Sequence, residues 1–163
     1  MLNLMSVNKD RPHVLVLPED KANLQLATGF HLEVASIRQM QVLSVAGGWN
    51  AVLELFQSDH VSEMDRHPLR FMVLLIDFDS KEDRLNDAKA AIPNHLTDRV
   101  FILGVWSEPE ALRKATLDSY ETIGGKLAKD CREETDTTWQ HDLLKHNVSE
   151  FDRLREHVRP ILF

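Results

Sequence analysis

The sequence predicts a single α/β domain over residues 1–163, with a mainly parallel four-stranded sheet flanked by helices and a helical C-terminal extension. Two observations carry that prediction. Short runs rich in Val, Ile, Leu and Phe alternate with amphipathic stretches, the pattern of strands buried on both faces and joined by crossover helices. Three of these runs also end in acids, so any open parallel sheet gathers carboxylates at its carboxyl edge, where such sheets bind ligands. The sheet core spans about residues 13–118 and the helical extension about 120–160. A chain of 163 residues with 43% hydrophobic and 28% charged residues is of the size and balance of one globular domain.

In chain order, His13 to Pro18 is the first strand and runs into Glu19-Asp20. Residues 22–30 have apolar side chains at helical spacing, with Gly29 marking the helix end. Gln39 to Ala46 reads as the second strand, followed by Gly47-Gly48 and a short amphipathic helix over Trp49–Gln57. Residues 58–69 are polar, punctuated by His60, His67 and Pro68, and read as a loop. Phe71 to Ile76 is the third strand and leads into Asp77-Phe78-Asp79. A charged helix follows over Lys81–Ile92, stopped by Pro93-Asn94. Val100 to Trp106 is the fourth strand, and Ser107-Glu108-Pro109-Glu110 opens a helix with Ser107 as cap. Beyond it, Gly124-Gly125 divides or distorts a helical region. Capping patterns at Thr137–Gln140 and Ser149–Asp152 make the tail helical, with Trp139, Leu143, Leu144, Phe151, Leu154 and Val158 inward.

Composition narrows the function classes. The net charge of −7 disfavours unaided binding to DNA or an anionic membrane. The apolar runs are too short to span a bilayer, and Met1–Arg11 lacks the long apolar segment of a secretory signal. A single cysteine, Cys131, fits a reducing compartment, and the cytoplasm is the expected location. No Ser–His or Cys–His nucleophile pattern is present. The eight histidines have no metal-ligand spacing and read as surface or packing residues. Gly124-Gly125-Lys126 lacks the strand and spacing of a phosphate loop.

The acids remain. Glu19, Asp77, Asp79 and Glu108 all follow strands that a parallel sheet sets side by side. Crowded carboxylates repel unless one is protonated or a cation sits among them, which points to a divalent metal. The order Glu19, Gly47-Gly48, Asp77-x-Asp79 resembles the Toprim domain of topoisomerases, primases and overcoming-lysogenization-defect nucleases, over roughly residues 13–110. That resemblance implies a Rossmann-like sheet, Mg²⁺ or Mn²⁺ held by Glu19, Asp77 and Asp79, and nuclease-like phosphoryl transfer on nucleic acid, with a partner protein supplying the basic surface. The family's glutamate is often followed by glycine. Here the context is Pro18-Glu19-Asp20, so either Glu19 or Asp20 faces the site. Lys21, Lys81 and Arg84 flank the acids and are placed to meet phosphates. The chain also resembles a response-regulator receiver, with Glu19-Asp20 as the acidic pair, Asp77 as phosphoacceptor and Ser107 as the hydroxyl residue of a later strand. A catalytically inert interaction module stands as a further alternative.

Overall fold

A computed structural model describes residues 6–163; the first five residues of the N-terminal stretch read above for a secretory signal lie outside the described residues. Four strands form one parallel sheet in the order β2-β1-β3-β4: β1 (His13–Pro18), β2 (Met40–Val42), β3 (Arg70–Leu75) and β4 (Val100–Leu103). β1 pairs with β2 on one side and β3 on the other, and β3 pairs with β4. The expected mainly parallel four-stranded sheet is therefore present.

Strand side chains alternate between two cores, as the two-residue period requires. Val14, Val16, Val73, Phe101 and Leu103 face one helix layer, and Leu15, Leu17, Met72, Leu74, Val100 and Ile102 face the other. The first layer is built from α1 (Lys21–Leu32), α5 (Pro109–Thr116), α6 (Tyr120–Glu133) and α7 (Val148–Leu162). The second holds α2 (Trp49–Leu55), α3 (Val61–Arg66) and α4 (Arg84–Ala90). The C-terminal helices thus complete one of the two layers. No helix among the described residues is long and apolar enough to cross a membrane.

Several local expectations are corrected. Gly29 does not end α1, which continues to Leu32; a Cβ on Gly29 would lie 2.1 Å from the Glu121 carbonyl oxygen of α6. Gly124 makes the reciprocal contact, where a Cβ would fall 2.0 Å from the Leu26 carbonyl oxygen. These glycines let two helices touch backbone to backbone, and Gly124-Gly125 interrupts nothing in α6. The polar stretch 58–69 is mostly helix: α2 runs through a π-helical turn, Phe56–His60, into α3. Only Phe56, Val61 and Met64 turn inward there, which is why the stretch has the composition of a loop. β2 is shorter than the sequence suggests: a 3₁₀ turn over Ile37–Gln39 takes its first residue, and residues 43–46 leave the regular ladder, with the next bond to β1 after Leu43 coming from the Ala46 N–H to the Pro18 carbonyl. Thr137–Gln140 forms turns instead of a helix start. The Asp130 carboxylate accepts the Thr138 and Trp139 backbone N–H groups and holds the segment to α6.

The edge strand β4 is closed by side chains. Asn147 accepts from the Gly104 N–H at 3.1 Å and donates to the Gly104 carbonyl at 2.9 Å. Glu150, buried in the first turn of α7, accepts from the Ile102 N–H at 2.9 Å. Two side chains thus take the place a fifth strand would occupy.

Candidate metal centre

β1 and β3 are central neighbours, and the chain leaves their carboxyl ends toward opposite helix layers. That is the switch point at which a parallel sheet opens a crevice. Glu19 and Asp20 follow β1, and Asp77 follows β3 by two residues. The structure brings these three acids together: one ligand oxygen from each lies within 4.8 Å of the others.

Each is held by its own local structure. Asp20 is the N-cap of α1, its Oδ1 accepting the Asn23 N–H at 3.0 Å. Glu19 Oε2 accepts the Asp77 backbone N–H at 2.6 Å, so its side chain reaches across from β1 to β3. Asn23, fully buried, donates its amide N–H₂ to both Asp20 Oδ1 (3.0 Å) and Asp77 Oδ1 (2.9 Å). Its own Oδ1 has no partner among the described residues. The sequence does not single out Asn23; the Asp20–Asn23 spacing of a capped first turn is the signal that could have found it.

Burial and crowding show in the titration of these groups. Loss of solvent pushes the Asp77 carboxyl up to about 7, against the Asn23 hydrogen bond and with help from the charges of Glu19, Asp20 and Asp79. Glu19 is also raised, first by burial, with the Asp77 N–H opposing and the nearby acids adding to it. A cation between these oxygens would relieve the same repulsion, so the residues present fit a divalent ion.

The other expected site residues lie around this group. Asp79 is not among the three. Pairing it with Asp77 on one face needs an extended chain, but Asp79 and Ser80 both have left-handed backbones, with φ of 50° and 56°. Its carboxylate binds Arg84 at 3.0 Å. Arg84 is buried, with its guanidinium 4.1 Å from the Trp49 ring centroid and a further bond to the Asp77 carbonyl. Committed to those partners, it is not free to meet a phosphate, whereas Lys21 and Lys81 are exposed. Gly47 and Gly48 donate their N–H groups to the Glu19 carbonyl at 2.9 and 3.2 Å. Their φ values of 99° and 135° explain the glycines, because a Cβ at either position would meet nothing. Glu108 is exposed at the start of α5, outside the cluster. It takes the boundary position expected of Ser107, and no side chain caps that helix. The Ser107 hydroxyl is buried without a hydrogen-bond partner among the described residues.

Behind the acids, Phe78 turns into the core and packs on Trp106 and on the edge of His146, whose ring centroid is 4.8 Å away. Neither His146 ring nitrogen has a well-formed hydrogen bond among the described residues.

Compared with protein-family models, curated proteins and solved structures, the chain matches none of them significantly.

Proposed function

We propose that the protein binds Mg²⁺ or Mn²⁺ through Glu19, Asp20 and Asp77 and catalyses Toprim-like phosphoryl transfer, cleaving phosphodiesters of nucleic acid. The observation that carries this is the convergence of the three carboxylates within 4.8 Å at the β1/β3 crevice. Glu19, Asp20 and Asp77 would hold the cation, which would supply Lewis-acid polarisation of the phosphodiester and charge stabilisation at the leaving oxygen. In hydrolysis the water oxygen bonds to phosphorus as one ester P–O bond breaks. With Glu19 taken up as a ligand, the water's proton passes to solvent. The leaving oxygen takes its proton from solvent. Asn23 fixes the spacing of Asp20 and Asp77, and the exposed Lys21 and Lys81 flank the crevice toward the phosphates. The net charge of −7 makes a basic partner the natural source of the wider nucleic-acid surface.

The test is nicking of supercoiled DNA and degradation of single strands, with and without Mg²⁺ or Mn²⁺. Wild type should cleave only with metal, in a salt-sensitive manner, while Asp77→Ala and Glu19→Ala should lose most activity. Absence of metal-dependent cleavage, or equal cleavage by the variants, ends the proposal.

The receiver-like reading has one observation in its favour. Asp20, not Asp79, joins Glu19 and Asp77, as an acidic pair beside a phosphoacceptor would. Against it stands the closed β4 edge, where Asn147 and Glu150 replace the fifth strand of the 2-1-3-4-5 order. Acid-labile labelling of Asp77 by acetyl phosphate would favour that reading over cleavage.

A further inference from the structure

The two helix layers do not close equally on the sheet. On the side of α2, α3 and α4, Met72 and Leu74 keep none of their surface. On the side of α1, α6 and α7, Val16, Val73 and Leu103 keep 4–6% although helices cover them. These three residues wall a void of about 80 Å³ between the sheet and that layer, together with Ala27 of α1, Leu127 of α6 and Val158 of α7.

Native cores hold few gaps larger than a water molecule, and an unfilled gap loses packing contacts along its whole wall. Two sets of contacts outside the void hold its walls in place. Gly29 and Gly124 fix α1 against α6 backbone to backbone, and Asn147 and Glu150 fix the start of α7 to β4. Water does not suit the space, because a buried water needs two to four polar partners. The polar side chain on the wall, Asn147, already bonds Gly104 through its amide oxygen and Gly104 and Leu144 through its N–H₂. Among the described residues of the wall, only Phe30 and Leu75 are partly exposed. Leu75 ends β3 two residues before Asp77, so the wall is thinly covered at the carboxyl edge of the sheet.

We propose that this void is a binding site for a small, wholly apolar molecule of a few carbon atoms, admitted beside Leu75. The chemistry of the occupant follows from the wall. Among the described residues no charge and no unpaired donor or acceptor lines it, so a polar or ionic ligand would lose its hydration without replacement. Dispersion contact and the removal of apolar surface from water supply the affinity instead. The size follows from the volume, about half that of an engineered dry cavity of about 150 Å³ that takes benzene or xenon. An occupant gives this layer the contacts that Met72 and Leu74 already have in the other. The site is separate from the acids and does not depend on their holding a metal.

Methyl-detected NMR of the full chain under rising pressures of xenon and of propane tests this. The methyl signals of Val16, Val73 and Leu103 should shift along a saturating curve with either gas, while those of Leu15 and Leu74 in the other layer stay in place. Bound gas should also raise the melting temperature. Ala27→Leu fills the void from α1 and should weaken uptake of both gases about tenfold or more. Val158→Ala widens it and should bind benzene more tightly than wild type does, a second readout should the larger leucine disturb the fold. A wild type whose wall methyls respond to neither gas would overturn the proposal. So would shifts spread alike over both layers, or gas uptake unchanged in a folded Ala27→Leu protein.

Discussion

Asp77 and His146 titrate through overlapping pH ranges with opposite effects on stability. The Asp77 carboxyl is raised from 3.8 to about 7, chiefly by burial. Between those values the folded protein keeps a proton that the unfolded chain has released, so this contribution is lost as pH rises from about 4 to 7. Burial lowers the His146 imidazole from 6.5 to about 4. There the unfolded chain binds a proton that the folded one cannot, so stability present above 6.5 is lost as pH falls toward 4. The two slopes oppose each other. Urea unfolding against pH should show a steeper acid-side decline for Asp77→Asn than for wild type, and a steeper neutral-side decline for His146→Phe. After solvent screening each slope is worth on the order of 1–2 kcal/mol. Parallel slopes in wild type and both variants would rule out these assignments. Manganese supplies a second measurement at the same residue. At pH 8, Mn²⁺ at a hundredfold excess over its dissociation constant should stabilise wild type by about 2.7 kcal/mol and leave Asp77→Asn unmoved. The acids themselves are legible in the sequence because they follow apolar runs. That Asp20 and not Asp79 joins Glu19 and Asp77 is not, because it depends on two successive left-handed residues that no spacing rule reveals.

Among the elements, the α1–α6 contact depends most directly on single residues. Gly29 and Gly124 each sit against the backbone of the opposite helix at distances no Cβ tolerates. Gly125, one position on, has nothing nearer than a flexible Glu33 side-chain carbon at 3.6 Å. Gly124→Ala should therefore cost about 1–3 kcal/mol or more by forcing the helices apart. Gly125→Ala should be neutral or stabilise by up to about 1 kcal/mol through helix propensity. Thermal unfolding of the two variants distinguishes them, and equal effects would mean the helices do not cross at Gly124. The same pair explains why sequence patterns misplace the helix boundaries. Glycine signals a helix end only when nothing else requires its lack of a side chain, and here a neighbouring helix does. The π-helical turn hides the α2–α3 helix in the same way, since it shifts the inward face and breaks the 3.6-residue period by which helices are read.

At the scale of the molecule, the sheet is the most legible feature, because four apolar runs separated by helix-length stretches admit few other arrangements. How the sheet ends is not legible. Asn147 and Glu150 lie more than forty positions along the chain from the groups they satisfy, and no local pattern marks them. Asn147→Ala should leave the Gly104 N–H and carbonyl without partners at a cost of about 1–3 kcal/mol. It should also raise aggregation during refolding, which light scattering would register; an unchanged melting temperature and clear solutions would show the edge to be protected by other means. The late position of those two residues also bears on biosynthesis. β4 is translated well before α7, so a nascent chain carries three strands already able to pair and a fourth whose outer side stays raw until its closing residues emerge. Slow translation, a premature stop or a fusion that delays α7 would prolong that interval. Yield in cells should therefore depend more on the speed and completeness of the last helix than on the strength of the core.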